Sequence, residues 1–144
     1  MKKRGFTLIE LMVAVVVLAV LVATAIPQFM PLQKRARESE VKFVAHTLQM
    51  AVEDYKTVPS WLGLKPSSPS NLVVVITSHL PGNVGRKRNP FNPTETYGNS
   101  GILFGAPTTV GRVGYQYINQ NMPYTISCWG GDAGIVILTL IEGQ

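Results

Sequence analysis

Glu10 is the only charged residue in an apolar run that extends from Phe6 to Ile26. A carboxylate on a membrane helix costs on the order of 2.5–3.5 kcal/mol near the bilayer centre and less toward an end, so it is functional by default. Its available chemistry is ion pairing. The other reactive side chains are few and scattered. The 144 residues include two histidines, His46 and His79, and one cysteine, Cys128. No His/Cys cluster has the spacing of a zinc site. Ser127 and Asp132 form no triad from sequence evidence. Calcium needs several oxygen ligands, mostly carboxylates, whereas the turn 130–134 holds Asp132 alone and Glu95 and Glu142 stand far off. The glycines are scattered turn residues, not a phosphate loop after a strand. The residues give no catalytic site, no metal and no cofactor, and an enzyme is not expected.

The element that carries Glu10 is a helix long enough for a bilayer. At 1.5 Å per residue the run covers about 30 Å, the thickness of a hydrocarbon core. Lys2, Lys3 and Arg4 precede it, before Gly5, and should remain on the cytoplasmic side. A conventional secretory signal has a basic start, an apolar run of roughly 7–15 residues and a small-x-small cut. Ala23-Thr24-Ala25 would supply the cut, but the run is longer, contains Glu10 and is followed by Pro27. A plain anchor explains the length but neither Glu10 nor the Gly5–Phe6 junction.

The segment KKRGFTLIELMVAVVVLAVLVATAIP at residues 2–27 resembles the class III signal and N-terminal helix of type IV pilins and the related pseudopilins. The resemblance implies cleavage after Gly5 by a prepilin peptidase, which also N-methylates the new terminus, Phe6. It implies that Glu10 pairs with the Phe6 amine of a neighbouring subunit during assembly. It further implies a bacterial inner-membrane protein with its leader cytoplasmic, handled by assembly-platform proteins and built into a helical filament of copies or other pilins. Many pilins close a C-terminal loop with a disulfide. Cys128 as sole cysteine rules that out here, and its apolar surroundings suit a buried small hydrophobe. Secretion pseudopilins hold calcium in an acidic C-terminal loop that this chain lacks.

Downstream, Leu32, Ala36, Val41, Val44, Ala45, Leu48, Val52 and Tyr55 keep mostly three- and four-residue spacing, the mark of an apolar helix face. The spacing predicts one helix from Phe6 to about Lys56, ended by Val58-Pro59. Pro27 and Pro31 should interrupt it, since each lacks an N–H and clashes with the preceding turn. They read either as a passive kink or as a built weak point, and the resemblance favours the second. Residues 57–112 read as a long connecting region. Within it residues 71–80 combine β-branched content with a helical stripe, and a short helix capped by Ser70 is expected. Asn89-Pro-Phe-Asn-Pro93 predicts a proline-locked turn anchored by Phe91. His46 reads as a boundary residue beside the stripe and His79 as a turn residue. Residues 113–118, 124–129 and 135–141, separated by hairpin-type turns, predict an antiparallel sheet, with a further short strand near Ile102–Phe104. Such a sheet must lie on the helix's second half to bury its inner face.

The expected class is therefore α+β and pilin-like. Its parts are a leader at 1–5, a transmembrane and assembly helix at 6–26, and an exterior domain at 27–144. Within that domain the amphipathic helix runs to about 56, the loop region covers 57–112 and the sheet covers 113–141. Net charge is +5, and loss of Lys2, Lys3 and Arg4 with the leader reduces it to +2. Arg86-Lys87-Arg88 reads either as a solvated loop or as a contact for DNA phosphates or an acidic partner, the latter strongly salt-dependent. No regular aromatic interleaving accompanies it. The function expected is a pilus subunit, with a type II secretion pseudopilin or a DNA-binding minor pilin as alternatives. Intact-mass measurement of the native protein should find a methylated Phe6 terminus; a terminus at Ile26, or an uncut chain, would overturn this reading.

Overall fold

The computed structural model describes residues 5–132 and 134–143. The expectations for Lys2, Lys3 and Arg4 lie outside the described residues. The chain divides into two compact units, one ending at Arg35 and the other beginning at Ala36.

Helix α1 covers Leu8–Thr57. It begins two residues later than Phe6 because Thr7 takes the capping position. Pro27 and Pro31 both lie inside it, and the helix continues past both. The rest of each apolar turn still supplies helical bonds around the two missing donors. The end behaves as the sequence predicts: Val58 is extended, with ψ 130°, immediately before Pro59.

In the second unit α1 buries Val41, Val44, Ala45, Leu48, Val52 and Tyr55. Leu32 and Ala36 were expected on the same stripe but are exposed. The five-residue step from Ala36 to Val41 turns about 140° around a helix, so the two earlier residues occupy another face.

The connecting region is more ordered than a loop. A single 3-10 turn occupies Pro59–Trp61. Helix α2 covers Pro69–Val74 and continues as one π-helical turn at Val75–His79. Its cap is Ser68, whose hydroxyl accepts from the Asn71 amide at 3.2 Å. Ser70 does not cap, because Pro69 fits the first helical position, where a missing N–H costs nothing, and this fixes the start two residues earlier. Helix α3 is the short Gly82–Gly85, and a second π-helical turn spans Tyr97–Gly101.

The sheet has strands β1 Ile102–Phe104, β2 Val113–Gln116, β3 Thr125–Trp129 and β4 Val136–Ile141, in that spatial order. The β2–β3–β4 part is antiparallel, with Val113 opposite Cys128 and Ser127 opposite Thr139. The additional strand β1 pairs with β2 in parallel, Ile102 opposite Val113. Eight residues make a tight parallel connection. Gly105 and Gly111, at φ 116° and 77°, supply the backbone conformations that allow it. Val113, Tyr115, Tyr124, Ile126 and Cys128 join the α1 stripe, Leu72, Val75 and Tyr97 in one hydrophobic core.

Polar groups fasten the core where a disulfide does not. Asn89, fully buried, accepts from the Phe91 amide at 2.9 Å and donates to the Val110 carbonyl at 3.0 Å. Glu95 binds the Arg112 guanidinium through two hydrogen bonds, one of 3.0 Å to Nε. Lys65, 8% exposed, donates to the Met122 carbonyl at 2.7 Å and pairs with Glu142 at 2.7 Å. Glu142 also binds Lys56 of α1 at 2.6 Å, which ties the end of β4 to the helix.

These pairs set an acid limit. The Arg112 hydrogen bond holds the Glu95 carboxyl below its ordinary value of 4.5. Burial alone would raise Glu142, but Lys56 and Lys65 outweigh it and the net direction is down. A carboxyl more acidic when folded binds its proton first in the unfolded chain. Its stabilisation is therefore complete above the ordinary value and is lost as pH falls through the folded one. Arg112→Ala should lower stability by about 2 kcal/mol at neutral pH, with the gap to wild type closing as pH falls below the carboxylate range. Denaturant melts across pH check this.

Candidate assembly site

Around Glu10 the backbone changes from extended to helical. Residues 5–7 are not helical and α1 starts at Leu8. The Thr7 hydroxyl accepts from the Glu10 amide at 3.3 Å, and Glu10 Oε2 accepts from the Thr7 amide at 2.9 Å. The Thr7 hydroxyl also donates to Oε2 at 2.9 Å. This is a reciprocal capping box, which satisfies amides that the first helical turn leaves without partners. Among the described residues, Oε1 takes no hydrogen bond. Glu10 is exposed, with Oε2 held by Thr7.

Thr7 was missed from the sequence, although Thr-x-x-Glu before an apolar run is the signature of this box. The box leaves Gly5 and Phe6 outside the helix.

The surface beyond Glu10 is apolar on every side. Phe6 is 89% exposed, and the large hydrophobics from Leu8 to Leu32 are all exposed. By length and composition α1 can cross a membrane. Shallow apolar grooves run along it, one between Ile9, Met12, Val13, Val16 and Val17. Another is lined by Val22, Ala25, Ile26, Phe29, Met30 and Gln33 and so brackets Pro27. The missing amides of Pro27 and Pro31 leave the Ala23 and Pro27 carbonyls without their usual helical donors.

The remaining singled-out residues belong to the second unit. Arg86 and Arg88 are exposed, while Lys87 is half-buried. Its ammonium pairs with Glu40 at 3.1 Å and lies 5.2 Å from the Phe43 ring centre. His46 is exposed. His79 sits at the end of the π-helical turn, not in a loop, with Nδ1 2.8 Å from the Asp54 carboxylate and its ring edge-on to Tyr55. Burial pushes the Cys128 thiol up to about 11, which keeps it protonated and unreactive. Among the described residues, no three His, Cys, Asp or Glu side chains gather as a metal site.

Residues 1–26 match the family model described as the prokaryotic N-terminal methylation motif. The type IV major pilin protein PilA of Myxococcus xanthus is 43% identical over 54 residues, which cover 38% of this chain and 24% of that protein. The type IV narrow pilus major component PilA5 of Thermus thermophilus is 39% identical over 51 residues, or 35% of this chain and 44% of that protein. The fimbrial protein EcpB of Eikenella corrodens is 27% identical over 118 residues, covering 82% and 67%. The matched segment thus spans about a quarter and under half of the first two relatives. No solved structure matches the chain.

Changing Pro27 and Pro31 together to alanine should restore two helical donors, each worth up to about 3 kcal/mol in a helix interior. Amide exchange in micelles should slow from Thr24 to Leu32. Unchanged exchange there would show that the two prolines do not weaken the helix.

Proposed function

We propose that the chain is a type IV pilin, a structural subunit of a type IV pilus or pilus-like surface filament assembled through α1; the methylation motif at residues 1–26 and the pilin relatives matched over about a third of its length support this. Members of this family are structural and non-enzymatic. Residues 1–5 act as a leader, 6–26 as the membrane and assembly helix, and 27–144 as the domain outside the membrane. A prepilin peptidase removes the leader after Gly5 and methylates Phe6. The subunit waits in the inner membrane until the assembly platform moves it into the filament.

The observation that carries this reading is an exposed carboxylate whose Oε2 is capped by Thr7, at the head of a helix exposed and apolar from Leu8 to Leu32. In a bilayer, lipid tails are as apolar as leucine, so contact between helices gains little hydrophobic free energy. Packing along the shallow grooves supplies attraction but tolerates sliding. An ion pair in apolar surroundings does not, because a displaced Glu10 would be left buried and alone. Glu10 Oε1 would receive the Phe6 amine of a neighbour while Thr7 keeps the carboxylate oriented.

The relatives named as pilus or fimbrial components support a pilus over a secretion pseudopilus, and the single acid in the turn 130–134 points the same way. Pro27 and Pro31 serve as the place where α1 extends or bends as it enters the filament.

Glu10→Leu should leave membrane insertion and Gly5–Phe6 cleavage intact while sheared filament protein falls by roughly tenfold or more, the equivalent of losing one charge-assisted contact per subunit. Electron microscopy and mass mapping of the sheared fraction provide the measurement. Abundant, regular filaments built from Glu10→Leu alone would sink the mechanism.

A further inference from the structure

The cations of the second unit are segregated, and their position points to a ligand. Between Ala36 and the C-terminus, Arg37, Lys42, Arg86, Lys87 and Arg88 accompany only Glu38 and Glu40 in two short segments, a net +3. The rest of that unit carries Lys56, Lys65 and Arg112 against five acids, a net −2. Each of those three cations is consumed by an ion pair, to Glu53 and Glu142, to Glu142, and to Glu95.

The two basic segments are held together. Lys87 reaches Glu40 at 3.1 Å and lies over Phe43 at 5.2 Å, while the Arg37 guanidinium lies 6.0 Å above the Phe91 ring. These contacts fix the 86–88 triplet beside α1 at residues 37–43. Arg37, Arg86 and Arg88 are exposed, and among the described residues none has a carboxylate partner. Arg37 is five residues beyond Leu32, the last large hydrophobic of the exposed tract, so chain length alone keeps it within about 18 Å of the tract's end.

We propose that this cluster binds the phosphate groups of anionic phospholipids and holds the second unit against the bilayer surface before assembly. The guanidinium fork matches a phosphate diester bidentately, which a lone ammonium does not. Clustered cations next to a membrane helix gain from the negative potential of a leaflet rich in anionic phospholipid, an attraction that salt removes. Nucleic acid fits less well. Single strands need unoccupied aromatic platforms, and the two rings beside these cations, Phe43 and Phe91, already carry Lys87 and Arg37.

The proposal rests on the membrane-anchored reading of α1, and the test separates the two. The full-length chain is reconstituted in neutral detergent with equal amounts of phosphatidylcholine and phosphatidylglycerol, and retained lipids are counted by native mass spectrometry. Failure to enter bilayers of phosphatidylcholine alone would overturn the membrane reading itself. The wild-type chain should retain phosphatidylglycerol over phosphatidylcholine by roughly fivefold or more, with the preference fading toward onefold at about 0.5 M salt. The Arg37→Gln/Arg86→Gln/Arg88→Gln variant should lose it at low salt with its circular dichroism unchanged. The wild-type salt titration stands independently if that variant folds poorly. Equal retention of the two lipids, or a preference indifferent to salt, overturns the proposal. So does displacement of the lipid by millimolar inorganic phosphate, which would indicate a free-anion site. Displacement by a short DNA duplex at about 0.15 M salt would reassign the cluster to nucleic acid.

Discussion

The stripe of α1 from Val41 to Tyr55 is the surface on which the second unit is built. A four-stranded sheet whose end strand β4 reads Val-Ile-Leu-Thr-Leu-Ile cannot bury its inner face alone, and neither can a helix as short as α2. Both are covered only because α1 offers a row of β-branched and small residues with nearly zero exposure. Tyr55, Tyr97, Tyr115 and Tyr124 fill the largest volumes around that row. Large flat rings bring much apolar area for few rotatable bonds, which suits a domain of this size. Burial raises the Tyr97, Tyr115 and Tyr124 hydroxyls above their ordinary range, so they remain neutral.

The same helix meets a different requirement in the first unit. There no face is buried, and the apolar side chains must find lipid or other helices. One helix therefore carries two apolar patterns. The early part is apolar all round. The later part is a single stripe with Lys42, Glu53 and Asp54 beside it. From Leu8 to Pro31, Glu10 is the only charged residue and Pro27 and Pro31 are the only residues without a backbone donor. Glu10 caps the start of this early stretch with Thr7, and the prolines stand near its other end.

With Cys128 as the only cysteine, the C-terminal part is closed by charge and hydrogen bonds. Glu142 joins Lys56 and Lys65, the Tyr124 hydroxyl donates to Glu53, and Glu95 grips Arg112 beside buried Asn89. Gly111 is part of the same arrangement. Its left-handed backbone, φ 77°, brings it so close to Asn89 that a β-carbon would lie 2.0 Å from the Asn89 side-chain oxygen. Removing either member of such a pair leaves a desolvated polar group, which is why these contacts specify one arrangement of loops. The exposed cations contrast with this closure: Lys56, Lys65 and Arg112 are each paired, whereas among the described residues Arg37, Arg86 and Arg88 have no carboxylate partner.

Much of this was legible in the residues, for local reasons. The long helix, its end at Val58-Pro59, the Asn-Pro-Phe turn and three of the strands follow from periodicity, proline geometry and turn chemistry, all of which act within a few residues. Glu10 was legible because a charge in an apolar run is costly wherever the chain goes. Its capping partner Thr7 was legible in principle, three residues away. Other features depended on contacts the sequence does not order. Leu32 and Ala36 share the spacing of the stripe but not its phase with the sheet. The parallel pairing of β1 with β2 required two glycines to turn a short connection. Lys65 and Glu142, or Lys87 and Glu40, lie tens of residues apart. Which cation meets which acid depends on distances that only the folded core sets, because charge attraction is strong between desolvated neighbours and negligible across water.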